Sequence, residues 1–398
     1  MKPISVLEGK PFGLPPVYWT LRDRRVETAK SPADLGTIDT RVDVDALASL
    51  IAETDPLPTQ SIFENIHRVP NDSVVTIDAS GKSDVQTTQT HIEPLKMTAV
   101  EASNELWRLV MQSVERTMLG AKRVAVFTGG GVDSGALLAA AVAVSRGANR
   151  SEVGAVALHF GGEGDDRPYM RDLERALGIV AVRINPTDCA SGMRSQLDDP
   201  RMPMWTPTAP TDFELVRRAA ETGADLALSG LGGDDLFDGF PRLLANHFVR
   251  HPLDASLRAC RLRFSRDVSI TRRISSFIVR PLGARIMPRG IRRRRRSAIH
   301  LSQWPWAGPR LQAFLEADAA AWRPARVDTP TDRFDYLARG AFLERPLELF
   351  DELAHRAGIR LAHPYLEKGL LALMSALPPT LLFHGDRLRG LFRLAARG

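Results

Sequence analysis

Two glycine-rich loops that carry acidic residues are the parts of this sequence whose residue types and spacing could do chemistry. The first is TGGGVDSG, where Thr128 and a run of glycines precede Asp133 and Ser134. The second is SGLGGDD, at residues 229–235. Glycines bring backbone N–H groups close to an anion without an intervening Cβ, and the free N–H groups of a helix N-terminus bind phosphate. Both loops are therefore candidate phosphate sites.

Aspartates inside a phosphate loop indicate a cation as well. Carboxylate and phosphate repel each other unless a cation lies between them, so Asp133 predicts Mg²⁺, with Asp234 and Asp235 as further oxygen ligands. The lysine of a Walker A loop is missing from the first loop. An alternative is that these aspartates and Ser134 cap helices, with the glycines as turn residues. Two such loops in one region favour the metal–phosphate interpretation.

The elements that must position these loops alternate between strands and helices. We predict strands at 123–128, 153–160, 179–184 and 225–229, separated by helices at 136–145, 167–177 and 212–221. This alternation is typical of an α/β fold, a parallel sheet flanked by helices, whose ligands bind at the carboxyl ends of the strands. Both loops follow predicted strands. A small β-rich region with the strands VYWTL and SVVTID precedes this fold.

Length and composition suggest the class of protein. A chain of 398 residues can hold two domains, and we predict them at 1–95 and 96–398. Cys189 and Cys260 have no metal-ligand spacing, which is typical of a reducing compartment. No apolar run reaches the length of a membrane span, and the N-terminus lacks the apolar core of a signal peptide. We expect a cytoplasmic protein.

The positive charge of the chain is concentrated in one segment. Residues 250–296 contain 15 arginines, no lysine and two acidic residues, although the net charge of the whole chain is only +6. The arginine run at 292–296 could contact nucleic acid, an anionic membrane surface or an acidic peptide. The simplest interpretation is a solvated helix.

The motifs resemble those of a known family. TGGGVDSG resembles the PP-loop SGGxDS of the N-type ATP pyrophosphatases, and LSGLGGDDLFDGF resembles the SGxGxDExFxGY signature of asparagine synthetase-like enzymes. Residues 62–78 are similar to the segment that links the glutaminase and synthetase domains of that family, and residues 362–398 resemble its C-terminal segment. The resemblance implies an adenine nucleotide alpha hydrolase-like fold. It also implies an ATP-dependent ligase domain at 96–398 and a truncated glutaminase-like domain at 1–95 that lacks the catalytic cysteine.

The resemblance implies an amide ligase that uses ATP and Mg²⁺ and forms AMP and pyrophosphate. Asp133 and Asp234 would ligate Mg²⁺. Arg389, which stands where the family has a lysine, and Asp235 would be catalytic. The implied nucleotide-binding residues are Thr128, Gly129, Gly130, Gly131, Asp133, Ser134, Ser229, Gly230 and Gly232.

Departures from the family pattern favour one branch of it. Lys2 stands where glutamine-dependent members have cysteine, so we do not expect glutamine hydrolysis. Leu231 replaces a glutamate of asparagine synthetases, which favours enzymes that use an amine already on the substrate, the beta-lactam synthetases and lasso peptide macrolactam cyclases. GLGGDDLF is more similar to the cyclases.

We therefore predict ring closure in a precursor peptide, with an acidic peptide as a possible partner of the arginine segment. The alternatives are asparagine synthesis from ammonia and a degenerate, non-catalytic homologue, because Gly129 replaces the first serine of SGGxDS. Nucleic acid is not expected as a partner, since the chain has no thiolation cysteines.

Overall fold

The computed structural model describes residues 3–14, 16–36, 41–52, 54, 57–159, 165–185, 187, 189, 209–238, 241–262, 268–321, 327–339, 343–385 and 387–397. A parallel five-stranded sheet of order β11–β10–β7–β8–β9 lies at its centre. Its strands are β7 (Arg123–Thr128), β8 (Glu152–Leu158), β9 (Ala181–Ile184), β10 (Leu226–Leu228) and β11 (Arg360–Ala362).

The strand β7 shows why the sheet is covered on both faces. Val124 and Val126 pack into one hydrophobic cluster, while Ala125 and Phe127 pack into another on the opposite face. Because successive side chains of a strand point to opposite faces, a strand buried on both sides is apolar throughout. The predicted α/β fold is confirmed. The four predicted strands are present, three of them with different bounds, and residue 160, the predicted end of the second, lies outside the described residues. The strand β11 was not predicted, because its residues, RLA, begin with an arginine and form no apolar run like the LAL of β10.

Helices cover the sheet and continue after it. The helix α3 begins with a capping box between Thr98 and Glu101. Two regular helices extend into π-helical turns, at Ser145–Asn149 and Ser275–Val279. The helices from α3 onwards are α3 (Ala99–Met118), α4 (Val132–Val144), α5 (Arg167–Leu177), α6 (Ala209–Glu221), α7 (Gly233–Phe237), α8 (Pro241–Arg250), α9 (Pro252–Arg261), α10 (Ile270–Ile274), α11 (Arg280–Ile286), α12 (Arg289–Gln303), α13 (Pro309–Ala321), α14 (Pro330–Arg339), α15 (Glu344–Ala357), α16 (Lys368–Ala376), α17 (Pro379–Leu382) and α18 (Gly390–Ala395).

The first of these helices after the glycine loop begins earlier than predicted. We expected it at residue 136, but α4 begins at Val132, directly after the N-cap Gly131. Asp133 and Ser134 therefore lie in its first turn. No helix in the described part of the chain is long and apolar enough to cross a membrane.

The N-terminal region contains two antiparallel three-stranded sheets, of order β1–β5–β6 and β3–β2–β4. A shared apolar cluster of Trp19, Val69, Val75 and Ile77 joins them. The predicted strands VYWTL and SVVTID correspond to β2 and β5. The elements are β1 (Pro3–Glu8), β2 (Val17–Arg22), β3 (Arg25–Ala29), α1 (Pro32–Leu35), α2 (Val44–Ile51), β4 (His67–Val69), β5 (Ser73–Asp78) and β6 (Ser83–Thr87).

Buried polar groups connect the N-terminal sheets to α15. Arg68 of β4, only 3% exposed, forms an ion pair of 3.3 Å with Glu348. Tyr18 of β2, which is buried, also interacts with Glu348. The two parts of the chain therefore share an interface that contains charge. The division at residue 95 stays a prediction.

Candidate active site

The two glycine loops meet at the carboxyl ends of β7 and β10, which are neighbouring strands. A Cβ added to Gly233 would lie 2.9 Å from Asp133 Oδ2, and one added to Gly230 would lie 3.7 Å from the Ser134 Cα. Side chains at Gly233 would therefore push the loops apart. The parallel sheet explains the meeting, because all of its strands end at one edge.

Neither loop is a simple helix cap. The N-caps of α4 and α7 are Gly131 and Gly232, and neither makes a side-chain capping hydrogen bond. The Ser134 hydroxyl instead accepts a hydrogen bond of 3.1 Å from the Gly129 N–H. Gly232 has φ of +83°, and a Cβ there would lie 2.2 Å from Leu366 Cδ2. The capping interpretation of the aspartates is wrong for this structure.

A carboxylate from another part of the chain contacts the first loop. The Gly130 N–H donates a hydrogen bond of 2.6 Å to Asp166 Oδ2, at the start of α5. A Cβ on Gly130 would lie 2.5 Å from the Asp166 Cβ, so glycine is required for this approach. A backbone donor of the loop therefore binds a carboxylate, which shows that the loop accommodates an anionic group.

Arg389 contacts three carboxylates of the site. Its guanidinium lies 3.0 Å from Asp133 Oδ2 and 2.7 Å from Asp238 Oδ1, and it also pairs with Asp234. Arg389 has φ of 61°, in the left-handed region, and serves as the N-cap of α18. A non-glycine residue in this conformation indicates local strain, which is common at functional sites.

Buried aromatic rings pack together between the elements that carry these residues. Phe237 of α7 stacks on Phe392 of α18 with ring centroids 3.9 Å apart, and Tyr365 packs edge-on against both. The Tyr365 hydroxyl donates a hydrogen bond of 2.7 Å to the backbone carbonyl of Asp133. The rings therefore connect both loops to the C-terminal segment that carries Arg389.

Burial controls the ionisation of the acidic residues. It raises the pKa of Asp133 to about 6, against the opposing effect of Arg389. Burial, together with the nearby Asp235, raises the pKa of Asp238 to about 6. Burial also raises the pKa of Asp235. Each carboxylate would be more stably ionised beside an additional positive charge.

These residues fit a magnesium–nucleotide group. Asp133 and Asp234 already converge on one cationic group, and the buried Asp133 Oδ1 has no hydrogen-bond partner among the described residues. Within that same part of the chain, no three or more His, Cys, Asp or Glu side chains form a possible metal site. Mg²⁺ held by few carboxylates, with phosphate and water oxygens completing the shell, suits such a donor set.

The remaining predicted residues surround the two loops. Thr128 is buried, and its hydroxyl lies 3.4 Å from the carbonyl of Gly129. The Ser229 hydroxyl accepts a hydrogen bond of 3.1 Å from the N–H of Leu231. Asp235 is half-buried on α7. The Arg389 guanidinium contacts Asp238 instead of Asp235.

Sequence reasoning did not identify four residues of the site: Asp166, Gly233, Asp238 and Tyr365. A signal existed for two of them. Asp238 lies four residues after Asp234, on the same side of a helical turn. Asp166 follows β8 at the carboxyl edge of the sheet, where ligands of such folds gather. Gly233 and Tyr365 act through tertiary contacts, which leave no local pattern.

Comparisons with known proteins support the family resemblance. The asparagine synthase family model matches residues 105–398, more than half of the chain. No curated protein matches the chain.

Several solved structures are similar at low identity. The U34-tRNA thiolase NcsA from Methanococcus maripaludis is 12% identical, with TM-score 0.30, over 68% of this chain and 85% of that one. A glutamine-dependent NAD+ synthetase from Acinetobacter baumannii is 18% identical, with TM-score 0.25, over 49% and 42%. An NH3-dependent NAD synthetase from Campylobacter jejuni is 11% identical, with TM-score 0.23, over 57% and 99%.

TM-scores this low support no inference about what this chain binds or catalyses. The family match is different, because it spans both glycine loops and the segment that carries Arg389. An ATP-dependent amide ligase is the activity that this family implies. The chain belongs to the asparagine synthase family.

Proposed function

We propose that this chain is an AMP- and pyrophosphate-forming ligase that activates a carboxylate of a peptide and joins it to an amine of the same peptide. The observation that carries this proposal is the convergence of Asp133 and Asp234 on one cation, beside a backbone donor at Gly130 that holds an anion. The site therefore holds a positive group and a negative group side by side, and binding of Mg²⁺ together with nucleotide phosphates requires the same arrangement.

The residues of the chain have distinct proposed roles. The N–H groups of the first loop bind phosphate oxygens, and Asp133 and Asp234 hold Mg²⁺. ATP supplies the group that activates the carboxylate, and Mg²⁺ neutralises phosphate charge. Once its carboxylate partners hold the metal, Arg389 keeps a positive charge available for the oxygen that becomes anionic at the reacting carbon.

The second loop supports an amine that is already part of the substrate. Leu231 packs, half-buried, against both apolar clusters of the sheet. An alkyl side chain accepts no proton and does not attract ammonium. The amine must therefore be positioned by its attachment to the substrate, which raises its effective concentration at the reacting carboxylate.

Pyrophosphate exchange into ATP tests the activation step. We expect exchange with a peptide that has a free α-amine and an acidic side chain several residues on, and loss of exchange in Asp133→Ala and Asp234→Ala. Asp172→Ala is the matched control, because Asp172 is an exposed aspartate that pairs with Arg175 on α5. Mass spectrometry should show loss of one water from the peptide. Exchange and AMP release only with aspartate and ammonia would instead establish asparagine synthesis.

A non-catalytic homologue is the second candidate, and one observation favours it. The chain's own Asp166 and Arg389 contact the predicted phosphate donor and the predicted metal ligands. Calorimetric measurement of ATP binding, combined with the exchange assay, separates the two candidates. Binding of ATP without exchange for any carboxylate or peptide tested would favour the non-catalytic protein.

A further inference from the structure

A groove of about 770 Å³ lies between α11 and α12, away from the two glycine loops. Its volume is within the range of ~300–1,000 Å³ that is usual for ligand pockets. From α12 it is lined by Arg292, Arg295, Arg296, Ile299 and Gln303. These residues recur at the spacing of one helix face, so a continuous stripe of α12 faces the groove.

The facing helix contributes a second stripe. Arg280 and Ala284 line the groove from α11, and Met287 lines it from the residue directly after that helix. Ala52, at the end of α2, lines it from the N-terminal region, and Trp304 lines it just beyond α12. The helix α8, which follows α7 closely in sequence, contacts α11. The groove is therefore connected through α8 to the element that carries Asp234.

The charge of the lining is of one sign. None of the described residues that line the groove is acidic. Arg296 pairs with Asp318, and Arg292 donates a hydrogen bond to the Met287 carbonyl. The side chains of Arg280 and Arg295 make no hydrogen bond or ion pair with any other described residue. A negatively charged partner would compensate these two charges.

Apolar side chains lie between the arginines. Ala284, Met287 and Ile299 line the groove, and the Trp304 ring lies edge-on to Trp306 at 5.5 Å. Phosphate backbones are bound mainly by charge and gain little from such a surface. They would also be expected to use Arg293 and Arg294, which are exposed outside the groove. A chain that presents both carboxylate and alkyl groups matches the lining better.

We propose that the groove between α11 and α12 binds a peptide segment that combines acidic and apolar side chains. The carboxylates contact Arg280 and Arg295, and the apolar side chains contact Met287, Ile299 and Trp304. Helical grooves with apolar and charged stripes are a general mode of peptide recognition. This proposal rests only on the residues that line the groove. It goes beyond the ligase reaction and does not depend on whether the chain closes a ring.

Fluorescence anisotropy tests the proposal with three labelled probes at physiological salt. The first probe is a short peptide of alternating glutamate and leucine, and the second is a polyglutamate peptide of the same net charge. The third is a single-stranded oligonucleotide with as many phosphates as each peptide has glutamates. The test variant is Arg280→Gln/Arg295→Gln. The matched control, Arg293→Gln/Arg294→Gln, removes the same charge from exposed positions outside the groove. No ATP is added, so an inactive ligase gives the same result.

We expect the glutamate–leucine peptide to bind most tightly and to lose about tenfold in affinity in the test variant, because two partly exposed ion pairs are removed. The control variant should lose no more than about twofold, as expected for screened charges outside the groove. Equal losses in the two variants would overturn the proposal, as would polyglutamate binding that is equally tight. Tighter, groove-dependent binding of the oligonucleotide would assign the groove to nucleic acid instead.

Thermal melting accompanies each titration. If the double variant lost its cooperative melting transition, Arg295→Gln alone would replace it, with an expected loss of about threefold. An unchanged affinity in that folded variant would also overturn the proposal.

Discussion

At the scale of single residues, two side chains of the site have the charges of the predicted ligands. Asp166 is negative, like the phosphate, and Arg389 is positive, like Mg²⁺. Asp166 accepts a hydrogen bond from the Gly130 N–H, a predicted phosphate donor. Arg389 pairs with Asp133 and Asp234, the predicted metal ligands. Nucleotide and metal would have to displace these side chains, so removing either side chain should change affinity in a definite direction.

Replacing Asp166 should strengthen nucleotide binding. In Asp166→Ala the Gly130 N–H no longer has an internal acceptor, and we expect ATP to bind about two- to tenfold more tightly, as one competing hydrogen bond is removed. The control is Asp165→Ala, because Asp165 pairs with Arg167 instead of the loop. Isothermal calorimetry measures both variants. Weaker ATP binding in Asp166→Ala would show that the carboxylate assists the nucleotide.

Replacing Arg389 should make stability depend on Mg²⁺. In Arg389→Ala three carboxylates lose their shared cation, and we expect the free energy of unfolding to fall by about 1–3 kcal/mol. Mg²⁺ should raise the melting temperature of this variant more than that of the wild type, since ligands that bind the folded state stabilise it. Arg387→Ala, which removes an exposed arginine nearby, is the control. A response to Mg²⁺ equal to that of the wild type would contradict this prediction.

At the scale of elements, the site depends on how closely α7 and its preceding loop approach α4. Gly232 turns the chain in the left-handed region, and Gly233 lies against Asp133. The strands β7 and β10 fix where these loops start, and the rings of Phe237 and Phe392 fix α7 against α18. The loop can therefore tolerate little additional volume.

A single methyl group tests this packing. Gly232→Ala combines an unfavourable φ with a contact of 2.2 Å to Leu366. We expect a loss of about 1–3 kcal/mol in the free energy of unfolding and weaker ATP binding. The control is Gly283→Ala in α11, where a Cβ meets no atom within 4 Å. Alanine there should be neutral or stabilising by up to ~1 kcal/mol. Urea unfolding that shows equal effects for both variants would contradict the packing argument.

At the scale of the whole molecule, half-buried acidic residues lie where the N-terminal sheets meet α15. Asp351 and Glu348 line a cavity of about 530 Å³ there, together with Tyr18 of β2. Burial, reinforced by Glu348, raises the pKa of Asp351 to about 7, although Lys10 opposes this. Its buried Oδ2 has no hydrogen-bond partner within the described part of the chain. The interface should therefore be sensitive to pH.

The contribution of Asp351 to the free energy of unfolding should fall as pH rises through the window from the usual carboxyl pKa to about 7. In that window Asp351 is more fully protonated in the folded state than in the unfolded state, because its pKa is raised from 3.8 to about 7 on folding. The free energy of unfolding of Asp351→Asn should equal that of the wild type near the lower end of this pH window. Above the upper end, the variant should be more stable by about 2–4 kcal/mol. Asp34→Asn, an exposed rim residue of the same cavity, is the control. Urea unfolding across this range would contradict the prediction if both variants follow the wild type.

Much of the central fold followed from local patterns. The strand β7 has the predicted bounds because it contains a continuous run of apolar residues. The helix α5 begins and ends where predicted because its apolar residues recur at helical spacing. The strand β11 and the N-terminal strands β1, β3, β4 and β6 were missed. Their short runs are strands because neighbouring strands supply hydrogen bonds, which local periodicity does not report.

The sequence by itself determined the α/β fold, the family and the two glycine loops, since glycine, aspartate and apolar periodicity are properties of short segments. Only the tertiary structure decided which groups meet at the loops. Asp166 and Arg389 lie 36 and 151 or more residues from the groups that they contact. Pairing over such separations depends on how the sheet edge, α5 and α18 pack. For the same reason, only the folded chain shows that part of the arginine segment lines a groove between two helices.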